Sequence, residues 1–314
     1  MQKKVVYLIL IISSICVILS GCIEEKSSTG SRILYVGKEN YTLIQDAIEA
    51  ANDNDTIIVH NGTYYETIII EKSIKLIAEE HKKTIITFTE GNHDHPDFIQ
   101  IKAKGCTIEG FTIIGDYPKT SASAISIFYS NNTITQNNLY NTYHGIYIES
   151  DSENNIISYN NITNSQFGIY VFASYNDVFN NRLINNTYGI YLNDCYINNI
   201  FLNNITGNHW GIRLKAATNT QIYENQIQNN IDGVYSCCGA EQNTIFKNNF
   251  INNSENAYDD RPSNWYKKTI GNFWSDYRIK YPNAQSQDTI WDTPYSIPGG
   301  DNQDRYPLVK PFST

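Results

Sequence analysis
A glycine returns in this chain at nearly constant intervals: Gly145-Ile-Tyr, Gly168-Ile-Tyr, Gly189-Ile-Tyr, Gly211-Ile-Arg and Gly233-Val-Tyr. The steps are 23, 21, 22 and 22 residues; Asn256-Ala-Tyr extends the series forward and Ala124-Ile-Ser extends it backward. Other columns keep the same period. Eight positions before the anchor stand Asn137, Asn160, Asn181, Asn203, Asn225 and Asn248. Six before stand Leu139, Ile162, Leu183, Ile205, Ile227 and Phe250, and eleven before stand Ile134, Ile157, Val178, Ile200, Ile222 and Ile245. Thirteen before, Asn132, Asn155, Asn176, Asn198 and Asn243 are broken only by Thr220. A repeat this short has no room for crossover helices, so its strands must stack in parallel as coils of a solenoid.

This predicts an all-β chain: a right-handed parallel β-helix of about 22 residues per coil, with an N-terminal capping helix and an irregular C-terminal cap. Coils about 4.8 Å apart bring each residue onto its equivalent. Aliphatic columns then become core, and the Asn columns become amide ladders. Asn also suits left-handed backbone at tight corners. The 40 asparagines are thereby assigned to structure. The helix is expected over Tyr41–Asn52 with Thr42 as N-cap and Leu43, Ala47, Ile48 and Ala51 facing the first coil. Strands are expected at 56–59, 67–70, 74–77 and 84–87, with protruding loops at 89–97 and 116–123.

The segments outside the repeat set the address. Lys3 and Lys4 precede an apolar run over 5–19 that ends in Leu19-Ser-Gly-Cys22. This is the pattern of a secretory signal, too short for an ordinary spanning helix. Cys22 in that setting resembles a prokaryotic lipobox and is the expected lipidation site; an uncleaved anchor is the alternative. The expected organisation is a signal peptide with lipobox over 1–22, a flexible tether over 23–31, the β-helix over 32–260 and a cap segment over 261–314. The chain is expected at the outer face of the cytoplasmic membrane, held there by lipid and monomeric. Of the remaining cysteines, Cys106, Cys195, Cys237 and Cys238, the export route permits disulfides, and buried thiols are equally open.

Against 23 Lys and Arg stand 32 Asp and Glu, for a net charge of −9. That balance argues against nucleic acid, whose phosphates need clustered cations. Copper favours Met, Cys and His, and the one Met is the initiator. His93 and His95, flanked by acids and Pro96, read as a solvated loop. Neither copper nor calcium has residue support, so no cofactor and no metal ligand is expected. No catalytic residue is assigned, because Tyr143-His144-Gly145, Arg213-Leu-Lys215 and Asp259-Asp260 are short fragments of a kind that arise by chance.

A recognition surface has more behind it. With the Ile after each Gly inward, period two turns the next residue outward. That column reads Ser126, Tyr147, Tyr170, Tyr191, Arg213, Tyr235 and Tyr258; two further on, also expected outward, come Glu149, Phe172, Asn193, Lys215, Cys237 and Asp259. Aromatic rings at strand spacing suit sugar rings, with Arg213 and Lys215 beside them for acidic groups. The expected ligand-binding set is Tyr147, Tyr170, Tyr191, Arg213, Lys215, Tyr235 and Tyr258. Its expected partner is a glycan or another envelope polymer. A purely structural tyrosine stack is the competing reading.

The segments Tyr41-Thr-Leu-Ile-Gln-Asp-Ala-Ile, Asp55-Thr-Ile-Ile-Val and Gly62-Thr-Tyr resemble the N-terminal cap of pectin-lyase-like β-helix proteins. The Asn-rich Gly-Ile-Tyr coils resemble NosD-like, periplasmic copper-binding repeats. The tail is similar to that of archaeal surface members, with Gly271-Asn-Phe-Trp-Ser-Asp-Tyr, Asp292-Thr-Pro-Tyr-Ser-Ile and Gly299-Gly-Asp-Asn-Gln-Asp-Arg-Tyr-Pro-Leu. Relatives often carry Asp-Gly-Asp-Gly before Asp-Thr-Pro-Tyr; here Ser286-Gln-Asp-Thr-Ile-Trp stands in its place, and a calcium loop is not expected. The resemblance implies the fold, and a choice among carbohydrate binding, a carbohydrate-active enzyme (lyase, hydrolase or epimerase) and a copper-handling accessory.

Overall fold
The computed structural model describes residues 30–38, 40–88 and 97–313, apart from the Gln287 side chain. The lipobox at Cys22, residues 23–29 of the tether and the His93/His95 loop lie outside the described residues. From Arg32 onward the chain forms one compact unit. It is a parallel β-helix of about 10 turns.

Three parallel sheets run the length of the stack. Sheet I has ten strands, from Ile33–Val36 to Thr244–Phe246; sheet II has ten, from Gly62–Tyr64 to Phe273–Trp274; sheet III has nine, from Ile68–Ile70 to Glu255–Asp259. Register follows the sequence columns: Ile157 pairs with Val178, Ile162 with Leu183 and Ile169 with Ile190. The central aliphatic residues, Ile134 through Ile245, are wholly buried. Each contributes about 1.5–3 kcal/mol by leaving water. Early coils are less even: Thr56 pairs with Lys75, but Lys75 pairs with Thr107. The stack also continues past residue 260, because Phe273–Trp274 pairs onto Asn249–Ile251.

The three sheets meet at three corners, and each corner carries a ladder. Between sheets I and II, the Oδ1 of Asn203 accepts from the backbone N (2.9 Å) and Nδ2 (3.1 Å) of Asn181. Asn203 in turn donates both groups to Asn225 Oδ1 at 3.0 Å. Between sheets III and I the backbone N of Asn132, Asn155 and Asn176 donates to the Oδ1 of Asn155, Asn176 and Asn198 in turn, and Asn155 adds its Nδ2. A third ladder between sheets II and III, through Thr142, Ser165, Asn186, Asn208, Asn230 and Asn253, was hidden in the sequence. Its first two rungs are hydroxyls, which blur the Asn column.

The left-handed backbone does fall on asparagines at two corners, Asn131, Asn154 and Asn219 at one and Asn141, Asn164, Asn185, Asn229 and Asn252 at the other, though not on the ladder columns. It belongs to the residue before each ladder rung: Gln136, Tyr159, Asn180, Leu202, Glu224 and Lys247 at the third corner, all with φ between 53° and 59°. The ladder asparagines themselves are not among the positive-φ residues. Asn is selected at the rung for its amide, which donates and accepts at once. The anchor glycines have a different cause again. A Cβ on Gly168 would lie 2.4 Å from the Gly189 carbonyl oxygen of the next coil, so only glycine fits where the backbones close up.

Helix α1 spans Ile44–Ala50, shorter than expected, and buries Ile44, Ala47 and Ile48. Thr42 does not cap it. The cap position is Leu43, without a side-chain bond, and the Glu66 carboxylate accepts from Ile44 N (2.9 Å) and Gln45 N (3.0 Å) instead. Lys72 closes the other end on the carbonyls of Ile48, Glu49 and Ala51. Gln45 pairs with the backbone of Ile69, covering the open edge of sheet III. A cap borrowed from a strand-to-strand link 22 residues away leaves no local signal.

At the far end the Asn ladder passes to Asn272 and stops at Asp304. Ser286–Gln287 and Ile290–Trp291 form an antiparallel hairpin where relatives carry the acidic run. The 116–123 segment folds back onto the coils instead of protruding. Thr120, Ala122 and Ser123 are buried, and Tyr117 donates to Gln166 Oε1 at 2.5 Å.

Candidate functional site
Sheet III presents the residues singled out by the repeat. Tyr147, Tyr170, Tyr191, Arg213, Tyr235 and Tyr258 are paired in unbroken register across six coils. They are half-buried rather than exposed, because a second column flanks them that the sequence reading passed over. His144, Phe167, Tyr188, Trp210 and Asp232 stand just before each anchor glycine and pair in the same way. Phe167, Tyr188 and Trp210 stack nearly parallel, at 4.7 and 4.5 Å between centroids. The signal was available: these are outward aromatics in one repeat position.

The face divides in two along the axis. In its first half the tyrosines tilt: Tyr147 and Tyr170 meet at 45°, and Tyr170 and Tyr191 at 63°. Their hydroxyls are tied within the sheet, Tyr147 donating to Glu149 at 3.0 Å and Tyr170 accepting from Asn193 Nδ2 at 2.9 Å. In the second half Arg213 lies 4.2 Å over the Tyr235 ring, and Tyr235 stacks on Tyr258 at 4.6 Å. Arg213 covers Tyr235 only, not Tyr191 as well. Lys215 is exposed on the same strand. Three residues expected outward are buried. Ser126 is covered by the segment that brings Asp97 to its hydroxyl. Cys237 lies against Arg213. Asp259 accepts from Trp265 Nε1 at 3.0 Å.

At the start of this face His144 Nδ1 lies 3.0 Å from the Ser123 hydroxyl, with Asp97 bound to the Ser123 N. Burial pushes the His144 imidazole down to about 4. It pushes the Tyr147 phenol up, an effect strengthened by Glu149. Both groups are therefore neutral at pH 7, and neither sits near the pH where proton transfer is easiest. The arrangement is built to present rings, hydroxyls and two cations.

Cysteine pairing, open in the sequence, takes a definite form: Cys237 and Cys238 are disulfide-bonded, and Cys106 and Cys195 are buried thiols. Burial pushes the Cys195 thiol up to about 12. Among the described residues no group of three or more His, Cys, Asp or Glu is placed to hold a metal ion. The described residues thus offer no converging set of His and Cys donors of the kind copper favours.

The coils, the caps and the ladders define a parallel β-helix of the pectin-lyase-like type. The chain belongs to the NosD family, whose model, described as a periplasmic copper-binding protein, matches residues 48–279. Comparison with curated protein sequences returned no match. Among solved structures, the enzymatically active domain of tailspike protein 2 from bacteriophage CBA120 superposes with a TM-score of 0.54 at 12% identity. The match covers 78% of this chain and 42% of the tailspike domain, so the chain spans about two fifths of that relative. An alginate lyase from Paenibacillus gives 0.50 at 14% identity over 77% of this chain and 97% of its own. A pectate lyase gives 0.50 at 14% over 83% of each chain. At these identities the likeness is one of fold.

Proposed function
We propose that this is an envelope protein that binds an acidic polysaccharide along sheet III, without performing chemistry on it. The observation that carries this reading is the register-aligned column from Tyr147 to Tyr258, with Arg213 and Lys215 set among rings. A glycan laid along the axis meets tilted rings for its C–H faces over the first coils and the Arg213 and Lys215 cations for its carboxylates further on. The fold likeness to an alginate lyase, a pectate lyase and a tailspike supports this ligand class. We further propose that the protein acts as a monomer without cofactor, outside the cytoplasmic membrane as its family description suggests, with Cys22 carrying a lipid anchor. The neutral His144 and Tyr147 favour binding over the enzymatic alternative, and the described donor set disfavours copper handling.

Titrating uronate and neutral oligosaccharides against the wild type, Tyr191→Ala and Arg213→Ala tests the reading. Loss of Tyr191 should cost about 1 kcal/mol of affinity. Arg213→Ala should weaken uronates more than neutral sugars, and salt should imitate it. Equal binding by all three proteins would leave the column a structural stack. For the anchor, Cys22→Ala should abolish partition into detergent; identical fractionation of both proteins as soluble material would overturn it.

A further inference from the structure
Beside this face lies a reactive element that shares Arg213 with it and needs no glycan. Cys237 closes the strand Asp232–Cys237 and is 6% exposed. Cys238, its disulfide partner, follows in left-handed backbone (φ 60°) and is exposed. The two residues therefore differ sharply in exposure. They differ in electrostatics as well. Arg213 Nη2 lies 3.1 Å from the Cys237 sulfur, and Lys215 is the register partner of Cys237 on the neighbouring coil. Arg213 Nη1 is buried and, among the described residues, has no hydrogen-bond partner. A guanidinium with an unused buried donor, held against a disulfide sulfur, is placed to receive negative charge on that sulfur.

We propose that Cys237–Cys238 is a thiol–disulfide exchange site, whose substrate is a small thiol or an exposed protein thiol. An external thiolate attacks the accessible Cys238 sulfur and forms a mixed disulfide with it. The Cys237–Cys238 bond breaks, and its electron pair leaves on Cys237 as a thiolate paired with Arg213. A lower leaving-group pKa speeds such a step, and an adjacent cation lowers the pKa of a thiol. A second thiolate then attacks the external sulfur of the mixed disulfide. This releases the oxidised dithiol and a Cys238 thiolate, which takes a proton from water. Two external thiols are oxidised, and one protein disulfide is reduced. Cys106 and Cys195 are buried and take no part.

The probe is glutathione, added to the folded full-length chain and followed by peptide mass spectrometry. A glutathione adduct on Cys238, with none on Cys106 or Cys195, is the expected result. An adduct on Cys237, or a disulfide that resists until the protein unfolds, would overturn the proposal. The role of Arg213 is read separately in Cys238→Ser, which leaves Cys237 as a thiol. Its alkylation midpoint should lie below about 7.5, and adding Arg213→Gln should return it toward about 8.5. Arg213→Lys keeps a cation and should hold the midpoint low, which guards against a Gln variant that misfolds. Equal midpoints with Arg, Lys and Gln at this position would remove the cation from the mechanism.

Discussion

Each end of the β-helix buries a carboxylate, and the two sit in opposite surroundings. Asp55, at the N-terminal end, takes the Arg32 guanidinium at 2.7 and 3.0 Å and the backbone N of Arg32 and Asn52. The guanidinium holds its carboxyl down at about 2. Asp304, at the C-terminal end, takes N–H donors: Asn272 N at 2.7 Å, Trp274 Nε1 at 2.9 Å and Tyr306 N at 3.0 Å. Burial pushes it up to about 6 against those bonds. The hydrogen bonds to Asp304 do not offset its deep burial, whereas the Arg32 guanidinium outweighs the slighter desolvation of Asp55. The difference follows from what each end must cover. The helix end exposes backbone donors and acceptors to solvent-reaching side chains such as Arg32, Glu66 and Lys72. The other end must finish a ladder of amides, and its last rung needs an acceptor with several lone pairs and no Cβ neighbour. Gly271 provides that space, since a Cβ there would lie 2.0 Å from Asp304 Oδ1.

The largest effect that tests this contrast is truncation at the two ends. Asp304→Ala leaves the buried N–H groups of Asn272 and Trp274 and the partly buried N–H of Tyr306 unpaired, at about 1–3 kcal/mol for each buried group, and should lower stability by more than about 3 kcal/mol. Asp55→Ala should cost less, about 1–2 kcal/mol, because Arg32 is half-exposed and its side chain returns to water. Denaturant midpoints with unchanged slope measure both, and the reverse order would break the comparison. Within the ladder, Asn203→Leu removes the acceptor for Asn181 and the donor to Asn225, a loss of roughly 1–3 kcal/mol. An unchanged midpoint there would mean that the rungs carry no net stability.

Much of this was legible in the period alone. Columns such as Ile134–Ile245 and Asn137–Asn248 specify stacking directly, because a parallel coil places like on like. The first residues of the third ladder, Thr142 and Ser165, were not legible, since a hydroxyl substitutes for an amide only in a known geometry. Nor was the cap at Glu66, because a carboxylate reaching α1 from a distant link between strands has no sequence signature. The binding face was half legible. The Tyr147–Tyr258 column followed from period two, but the Gly145-Ile146 pair turns both of its residues inward. That sends His144, Phe167, Tyr188 and Trp210 outward beside the tyrosines and half-buries them. Alternation predicts orientation only where the strand is regular.

The smallest effect separates the buried carboxylate from the half-buried imidazole, and it is read in pH. Asp304 moves from the ordinary 3.8 to about 6, so the native state holds its proton where the unfolded chain has lost it. Its contribution to stability therefore falls as pH rises from about 4 to 6. His144 moves from 6.5 to about 4, so the unfolded chain holds the proton there, and its contribution rises over the same window. Each slope reaches about 1.4 kcal/mol per pH unit at most, and in the wild type they oppose. Asp55 adds nothing in this range, because its loss of stability begins only as pH drops below its ordinary 3.8 toward 2. Asp304→Asn should unmask the His144 slope, giving a protein that loses stability on acidification from pH 6 to 4. His144→Phe, which suits the aromatic column it joins, should unmask the opposite slope and gain stability over the same interval. Melting midpoints of the three proteins across that window decide it. Parallel curves would mean that neither burial holds its proton in the way described, and the contrast between the cation-paired end and the amide-paired end would lose its electrostatic cause.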